Sequence, residues 1–366
     1  MISKPMARSS ALSLSLILSL SLVACGGGGG GTPSPDTVIT PKAAILTVVA
    51  PSHSVTIPSS TYPADSVEQG AWRILQEGRT LCGFGKLTQD PNLDKAAANH
   101  SRYLNSISVA SGTSVLSHEE LITTNPFYKG FDPWDRTVAI GQNYGDQVAE
   151  ILEATVWDYD SRNPPAFPTA EQRGANSMRS LMNTVYHLVG AMYHGPDVGL
   201  GADIQDVSTG GTARREEYRF GSLNGFQNSS IMLGRNVLAT YPCDGSANIP
   251  TAFFPASENP NPFPYITDTK ISVGPPIYLK VDEGQTLTLT SSSVVSQYGT
   301  RVPTTVLTAR VPKPDPYIGD NEVFVVPTTA LQSNTSYEVN LGVKITLNGQ
   351  LNGFEFTRRF TMITEP

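Results

Sequence analysis

Asp90-Pro-Asn-Leu-Asp-Lys-Ala-Ala-Ala-Asn-His100-Ser-Arg-Tyr-Leu104 is the stretch on which the fold turns. Asp90 is placed to cap a helix and Pro91 suits its first position, where the missing N–H costs nothing. Leu93, Ala96, Ala97, His100, Tyr103 and Leu104 then recur at helical spacing, so this stretch predicts an amphipathic helix. His100 lies on its apolar stripe, the place of a core histidine bonded to backbone. Upstream, Val67, Ala71, Trp72, Ile74 and Leu75 predict a helix over 66–79, broken at Cys82-Gly83-Phe84-Gly85. Downstream, Val148, Ile151, Leu152 and Val156 predict a third helix over 146–158. A stripe from Met178 to Val189 predicts a fourth over 176–192, stopped by Gly195-Pro196. Strand-like pieces follow at 198–204, 217–221 and 237–241. Helices that precede adjacent strands make an α+β pattern with antiparallel pairing, not alternating βαβ units.

The texture changes after Cys243. Residues 248–268 hold five prolines and read as a linker. From 269 to 366 the sequence is all β, with strands expected at 277–281, 286–290, 323–326, 337–345 and 354–361. Asp282-Glu283-Gly284 and Asn348-Gly349 mark turns between them. Short strands at regular spacing predict a smaller all-β, immunoglobulin-like sandwich, without the Cys–Trp–Cys core of antibody domains. The stretch Leu331 to Leu341, with Phe354-Glu-Phe356 and Phe360-Thr-Met-Ile-Thr364, resembles the closing strands of bacterial Ig-like modules.

The N-terminus reads as an address. Lys4 and Arg8 precede an uncharged Leu/Ser-rich run, which ends in Leu22-Val23-Ala24-Cys25 and Gly26 to Gly31. A positive start, a short apolar run and small residues at the cut make a secretory signal, too short for the roughly 20 residues that span a bilayer. The cysteine at the cut resembles that of bacterial lipoprotein signals, which implies acylation of Cys25. The expected order is a signal over 1–25 and a Gly/Pro/Ser-rich tether over 26–62. A first domain over 63–247, the linker and the β module follow. The expected location is the bacterial cell envelope, outer membrane or periplasmic surface, with the membrane as a partner through the lipid anchor. The net charge of −7 includes no basic block, which argues against nucleic acid as a partner. With Cys25 acylated, Cys82 and Cys243 remain as a pair in an oxidising compartment, either bridged or two buried thiols. The bridge is the expectation. Its loop is long enough for about 4–5 kcal/mol in the chain-entropy model.

Common catalytic signatures are missing. His118-Glu119-Glu120-Leu121-Ile122 opens like a zincin helix but lacks the second histidine. Gly221-Ser222-Leu223-Asn224-Gly225 is not a nucleophile elbow, and no phosphate or dinucleotide loop appears. A set of short motifs recurs instead in a definite order. Asp90-Pro-x-Leu with Ala-Ala-x-x-His comes first, then Ser117-His118, then Asp132-Pro-Trp-Asp-Arg136. Ile140-Gly-Gln-Asn143, Trp157-Asp-Tyr-Asp160, Tyr186-His187 and Val198-Gly-Leu-Gly201 follow. In this order they resemble the CAP superfamily (cysteine-rich secretory proteins, antigen 5 and pathogenesis-related proteins; the SCP-like domain). The resemblance implies an α-β-α sandwich and a cleft of two histidines and two acids, which holds a divalent metal such as zinc in some members. By position these fall on His118, His187, Asp160 and Gln142. Gln142 stands where the family has Glu; it keeps a carbonyl but loses charge and basicity.

Two functions follow as expectations. One is a non-catalytic surface protein that binds a lipid, glycan or protein. The other is a metal- or histidine-dependent hydrolase of envelope peptide or polysaccharide, with His118, His187 and Asp160 as candidate catalytic groups. A third reading is an envelope spacer with no ligand. The discriminator is whether His118 and His187 converge on one open cleft, with Asp160 or Glu119 in reach.

Overall fold

The computed structural model describes residues 55–366, apart from 143, 145, 146, 226–228, 311–313 and 351. The signal, Cys25 and most of the tether lie outside the described residues, as does Asn143 of the Gly-Gln-Asn motif. The elements are α1 (Val67–Leu81), β1 (Thr88–Gln89), α2 (Pro91–Ser111), α3 (Pro133–Ala139), β2 (Val148–Asp160), α4 (Ala170–Leu181) and α5 (Val185–Ala191). β3 (Asp197–Gly210), β4 (Ala213–Gly225), β5 (Ala239–Tyr241), β6 (Ser246–Ile249), β7 (Ile277–Lys280) and β8 (Gln285–Ser296) follow. β9 (Arg301–Val302), β10 (Thr304–Thr308), β11 (Glu322–Pro327), β12 (Ser336–Leu347) and β13 (Phe354–Thr364) complete the chain. Among the described residues this is a mixed fold of five α-helices and three sheets, the α+β class.

The opening stretch forms α2 as its caps dictate. The Asp90 carboxylate accepts from Asn92 N at 2.7 Å, and Gly112 ends the helix in the left-handed region at φ +68°. The first sheet has the order β1-β3-β4-β2, with β3, β4 and β2 antiparallel. α2 lies close on one face. A Cβ at Gly201 would come within 2.2 Å of Ala98 N, so glycine is what lets helix and strand touch. On the other face Trp72, Leu75, Met178 and Leu188 form one core with Ile151, Val198, Leu200 and Phe220.

Two expected helices are corrected. Residues 147–158 are not helical: from Val148 the chain is β2, paired with β4 along its whole length. Its apolar residues fit either period. The β-branched and aromatic residues Val148, Ile151, Thr155, Val156, Trp157 and Tyr159 suit a pleated surface, and the long ladder with β4 decides. The stripe over 176–192 breaks into α4 and α5. Thr184, extended at φ −117°, starts the second piece, and α4 begins earlier at a Thr169/Gln172 capping box.

The C-terminal strands form two sheets, β10-β11-β7-β5 and β6-β13-β12-β8-β9. Ile277, Leu279, Val323 and Val325 of one share a core with Val339, Leu341, Val343 and Met362 of the other. β5 pairs with β7 and β6 with β13, so the chain enters these sheets before residue 247, where the first domain was expected to end. The proline-rich segment is also packed: Phe253 and Phe263 are buried in the core that contains α1 and the first sheet. Tyr278 of β7 stacks on Phe84 at 5.9 Å in that same core. Cys82 and Cys243 are disulfide-bonded across a sequence separation of 161, as expected for an oxidising compartment. No helix among the described residues is long and apolar enough to cross a membrane.

Candidate functional site

His118 lies on the loop between α2 and α3, held down by a buried charged network. Its Nδ1 is 2.9 Å from Glu150 Oε2, at the start of β2. The other Glu150 oxygen accepts from Arg136 Nη2 at 2.6 Å, and Arg136 Nη1 donates to the His118 carbonyl at 2.9 Å. Glu120 accepts from Lys129 N, and its other oxygen is 2.9 Å from His100 Nδ1. His100 is buried and reaches the Ser117 carbonyl through Nε2, so the core-histidine reading of the sequence holds, with a carboxylate added. Burial alone would push the Glu150 carboxyl up. The Arg136 guanidinium, with His100 and His118, outweighs burial and holds it well below the usual carboxylate range. An ionised Glu150 can only accept, so His118 Nδ1 carries the proton and the ring is held in one tautomer. The His118 side chain is 48% exposed, which leaves an oriented imidazole at the surface.

His187 sits in a different setting. Glu258, from the proline-rich segment, accepts from the N–H groups of Val185, Tyr186 and His187 and so caps α5 from outside. His187 Nδ1 is 2.8 Å from Thr184 Oγ1 and 3.3 Å from Glu258 Oε1. These groups line a cleft of about 550 Å³ together with Leu116, Leu152, Glu153, Asn183, Phe253 and Phe254. Burial pushes the Glu153 carboxyl above the usual carboxylate range, against weaker pulls from Ser177, Thr155 and His187. Glu153 Oε2 and Asn183 Oδ1 are buried with no hydrogen-bond partner among the described residues.

The register of β2 separates the two histidines. Glu150 and Leu152 pair with Leu223 and Gly221, on the α2 face. Ile151 and Glu153 point to the opposite face, where α5 packs; a Cβ on Gly190 would meet Ile151. His118 therefore docks on one face of the sheet and His187 on the other, and they share no hydrogen bond or ion pair. The cleft wraps the outer edge of β2, taking Leu116 and Leu152 from one side and Glu153 and His187 from the other.

The remaining candidates sit elsewhere. Asp160 is at the far end of β2, roughly 33 Å from Glu150 at about 3.3 Å per residue. It is bound to Arg162, whose guanidinium lowers its carboxyl to about 2. Gln142 follows α3, and its N–H donates to the Thr137 carbonyl at 3.0 Å. Glu119 is exposed beside His118. Among the described residues no three His, Cys, Asp or Glu side chains are grouped to hold a metal ion. The donors implied for zinc, His118, His187 and Asp160, are engaged with Glu150, with Thr184 and Glu258, and with Arg162. That donor set fits a four-coordinate metal poorly.

Sequence reasoning missed Glu150, Glu153 and Glu258. Glu150 and Glu153 are three apart, which on the expected helix would place them side by side; on a strand they face opposite ways. Arg136 was visible only as the last residue of the Asp-Pro-Trp-Asp-Arg motif. No family model matches the chain, and no curated protein matches it.

Proposed function

We propose that this chain is an exported binding protein, anchored through an acylated Cys25, which holds a lipid, glycan or protein ligand in the cleft beside β2 and does no chemistry on it. The reading takes the helix–sheet–helix part as CAP-like, on the order of its motifs, and the two C-terminal sheets as an Ig-like module. One observation carries it: a cleft of about 550 Å³ is lined by Leu116, Phe253 and Phe254 beside convergent polar groups, a make-up suited to a ligand site. The two histidines lie on opposite faces of a sheet and so do not form one constellation. The disulfide fits an oxidising compartment. The test is binding of the full chain to panels of glycans, lipid vesicles and peptides, beside Leu116→Asp and Phe254→Asp. A ligand retained by the wild type and lost by both variants supports the cleft. Cleavage products from the same panels, lost with His118→Ala, would replace binding by catalysis. For the anchor, labelled fatty acid should enter the wild type and not Cys25→Ser.

A second reading rests on a specific geometry. A surface imidazole whose Nδ1–H is held by a buried carboxylate has the orientation of a general base, with Nε2 free to take a proton. On that reading hydrolysis of envelope peptide or polysaccharide depends on His118 and Glu150 and is indifferent to His187→Ala.

A further inference from the structure

We propose that the outer edge of β2 accepts an extended peptide as an added strand, with apolar side chains on one face and basic side chains on the other. This rests on the cleft reading above and names the ligand class for it.

Among the described residues β2 is the last strand of its sheet and pairs with β4 alone. The direction of its backbone groups follows from β3. There Val198 O accepts from Asp90 N and Leu200 N donates to the Asp94 carboxylate, both away from β4. Along an antiparallel strand the N–H and C=O of one residue point the same way and alternate with those of the next. Odd residues of β3 therefore bond to β4, which turns Gly221 and Leu223 toward β3, and Phe220 and Ser222 toward β2. Their partners Glu153 and Ile151 face β4. Leu152, Ala154, Val156 and Asp158 thus point their N–H and C=O off the sheet, and no hydrogen bond reaches these groups among the described residues. The opposite edge is covered over Asp197–Leu200 by β1 and by the Tyr62 and Asp94 side chains on Leu200 N. β2 contains neither proline nor lysine, two common blocks on a free edge.

A row of unpaired peptide groups, of which those of Leu152 and Ala154 lie at the cleft, specifies another peptide backbone as occupant. The walls specify its side chains. Leu116, Leu152 and Ala154 make one side apolar. The other carries Glu153 and Glu258, with Glu365 nearby and Arg179 as the single Arg or Lys of the lining. Asp158 and Asp160 already have Arg215 and Arg162, whereas Glu153 has no arginine or lysine partner among the described residues. A second copy of β2 would set Glu153 near its own equivalent, which disfavours self-pairing, whereas a basic strand complements it.

The probe is acetyl-Lys-Val-Lys-Val-Lys-Val-amide, with two controls: Glu in place of Lys, and the Lys peptide N-methylated at alternate amides. Binding to the full chain is followed by fluorescence anisotropy and by hydrogen exchange across Val148–Asp160. The Lys peptide should bind and slow exchange in that segment, while both controls bind at least tenfold more weakly. Ala154→Pro removes one outward N–H without touching the β4 ladder and should weaken binding tenfold or more. Equal binding of the N-methylated peptide, or protection already present in a dimer of the chain, overturns strand addition. If no peptide binds while a glycan or lipid is lost with Leu116→Asp, strand addition falls and the cleft stands. If neither is seen, both fall.

Discussion

The two faces of one strand, three residues apart, handle a buried carboxylate in opposite ways. Glu150 is surrounded by donors: Arg136 on one oxygen, His118 on the other, His100 beyond. Glu153 faces a cleft, and one of its buried oxygens has no partner among the described residues. The first carboxyl is held down by its cations and the second is pushed up by burial. A buried carboxylate bonded through both oxygens, as Glu150 is although Arg136 Nε beside it has no hydrogen-bond partner among the described residues, fixes a loop in place; one with an unbonded oxygen beside an open volume is a place where something else can bind. The α2 face of β2 is therefore scaffold with an oriented His118 at its rim, and the α5 face is the receptive one.

The largest effect should come from breaking the satisfied side. Arg136→Met leaves Glu150 and Glu120 buried without their guanidinium, and such a loss costs about 3–5 kcal/mol. Urea unfolding should show it as a lower midpoint with an unchanged slope. A cost under about 1 kcal/mol would mean that Glu150 takes up a proton or finds water, and the contrast between the faces would fail. A smaller effect is expected on the other face. Glu258→Ala strips a carboxylate from the first N–H groups of α5 and should cost about 1–3 kcal/mol for donors left in a buried setting. Hydrogen exchange confined to residues 184–191 would locate that cost. Exchange spreading into the His118 loop would show that the two faces are not independent.

How much of this was legible beforehand depends on the range of the interaction. α1 and α2, the latter with its Asp90 cap, are written in local spacing and appear where expected. The Cys82–Cys243 bridge followed from counting cysteines. β7, β8, β11, β12 and β13 were placed by alternation and turns, whereas β9 and β10 were not foreseen. β2 was misread because Val148, Ile151, Leu152 and Val156 satisfy a helix as well as a strand, and only its long-range pairing with β4 settles the matter. That one misreading hid the site, since it placed Glu150 and Glu153 on a shared face. The proline-rich segment was read from composition as a linker. Composition carries no trace of Glu258 reaching back to α5 or of Phe253 entering the core, contacts made across some seventy residues of chain. His118 and His187 were expected to converge on one cleft, but nothing in their spacing reveals a sheet between them, and of the two only His187 lines the cleft beside β2.

The smallest effect gives the finest test, because it depends on sign. Glu150 has a folded-state pKa below its unfolded value, near the ordinary 4.5. It adds stability above that value, which is lost only as pH falls toward its folded pKa. Glu153 is the reverse, with a folded-state pKa above 4.5. Above its folded pKa the buried carboxylate costs stability, and the cost is relieved as pH falls from there to 4.5. The side chains around it are those of His187, Ser177, Thr155 and Tyr218, with Glu258, Glu365 and Arg179 along the cleft. Glu153→Gln should therefore be neutral or slightly stabilising at pH 7, by up to about 1 kcal/mol, since it removes an unpaired buried charge. The difference in unfolding free energy between variant and wild type should shrink as pH drops toward 4.5. Adding the Lys-Val peptide should reverse the order at pH 7, because the wild type would gain more from a cation than the amide can. A variant that is less stable than the wild type at pH 7 without peptide would show that Glu153 is already satisfied, and the two faces of β2 would then be alike.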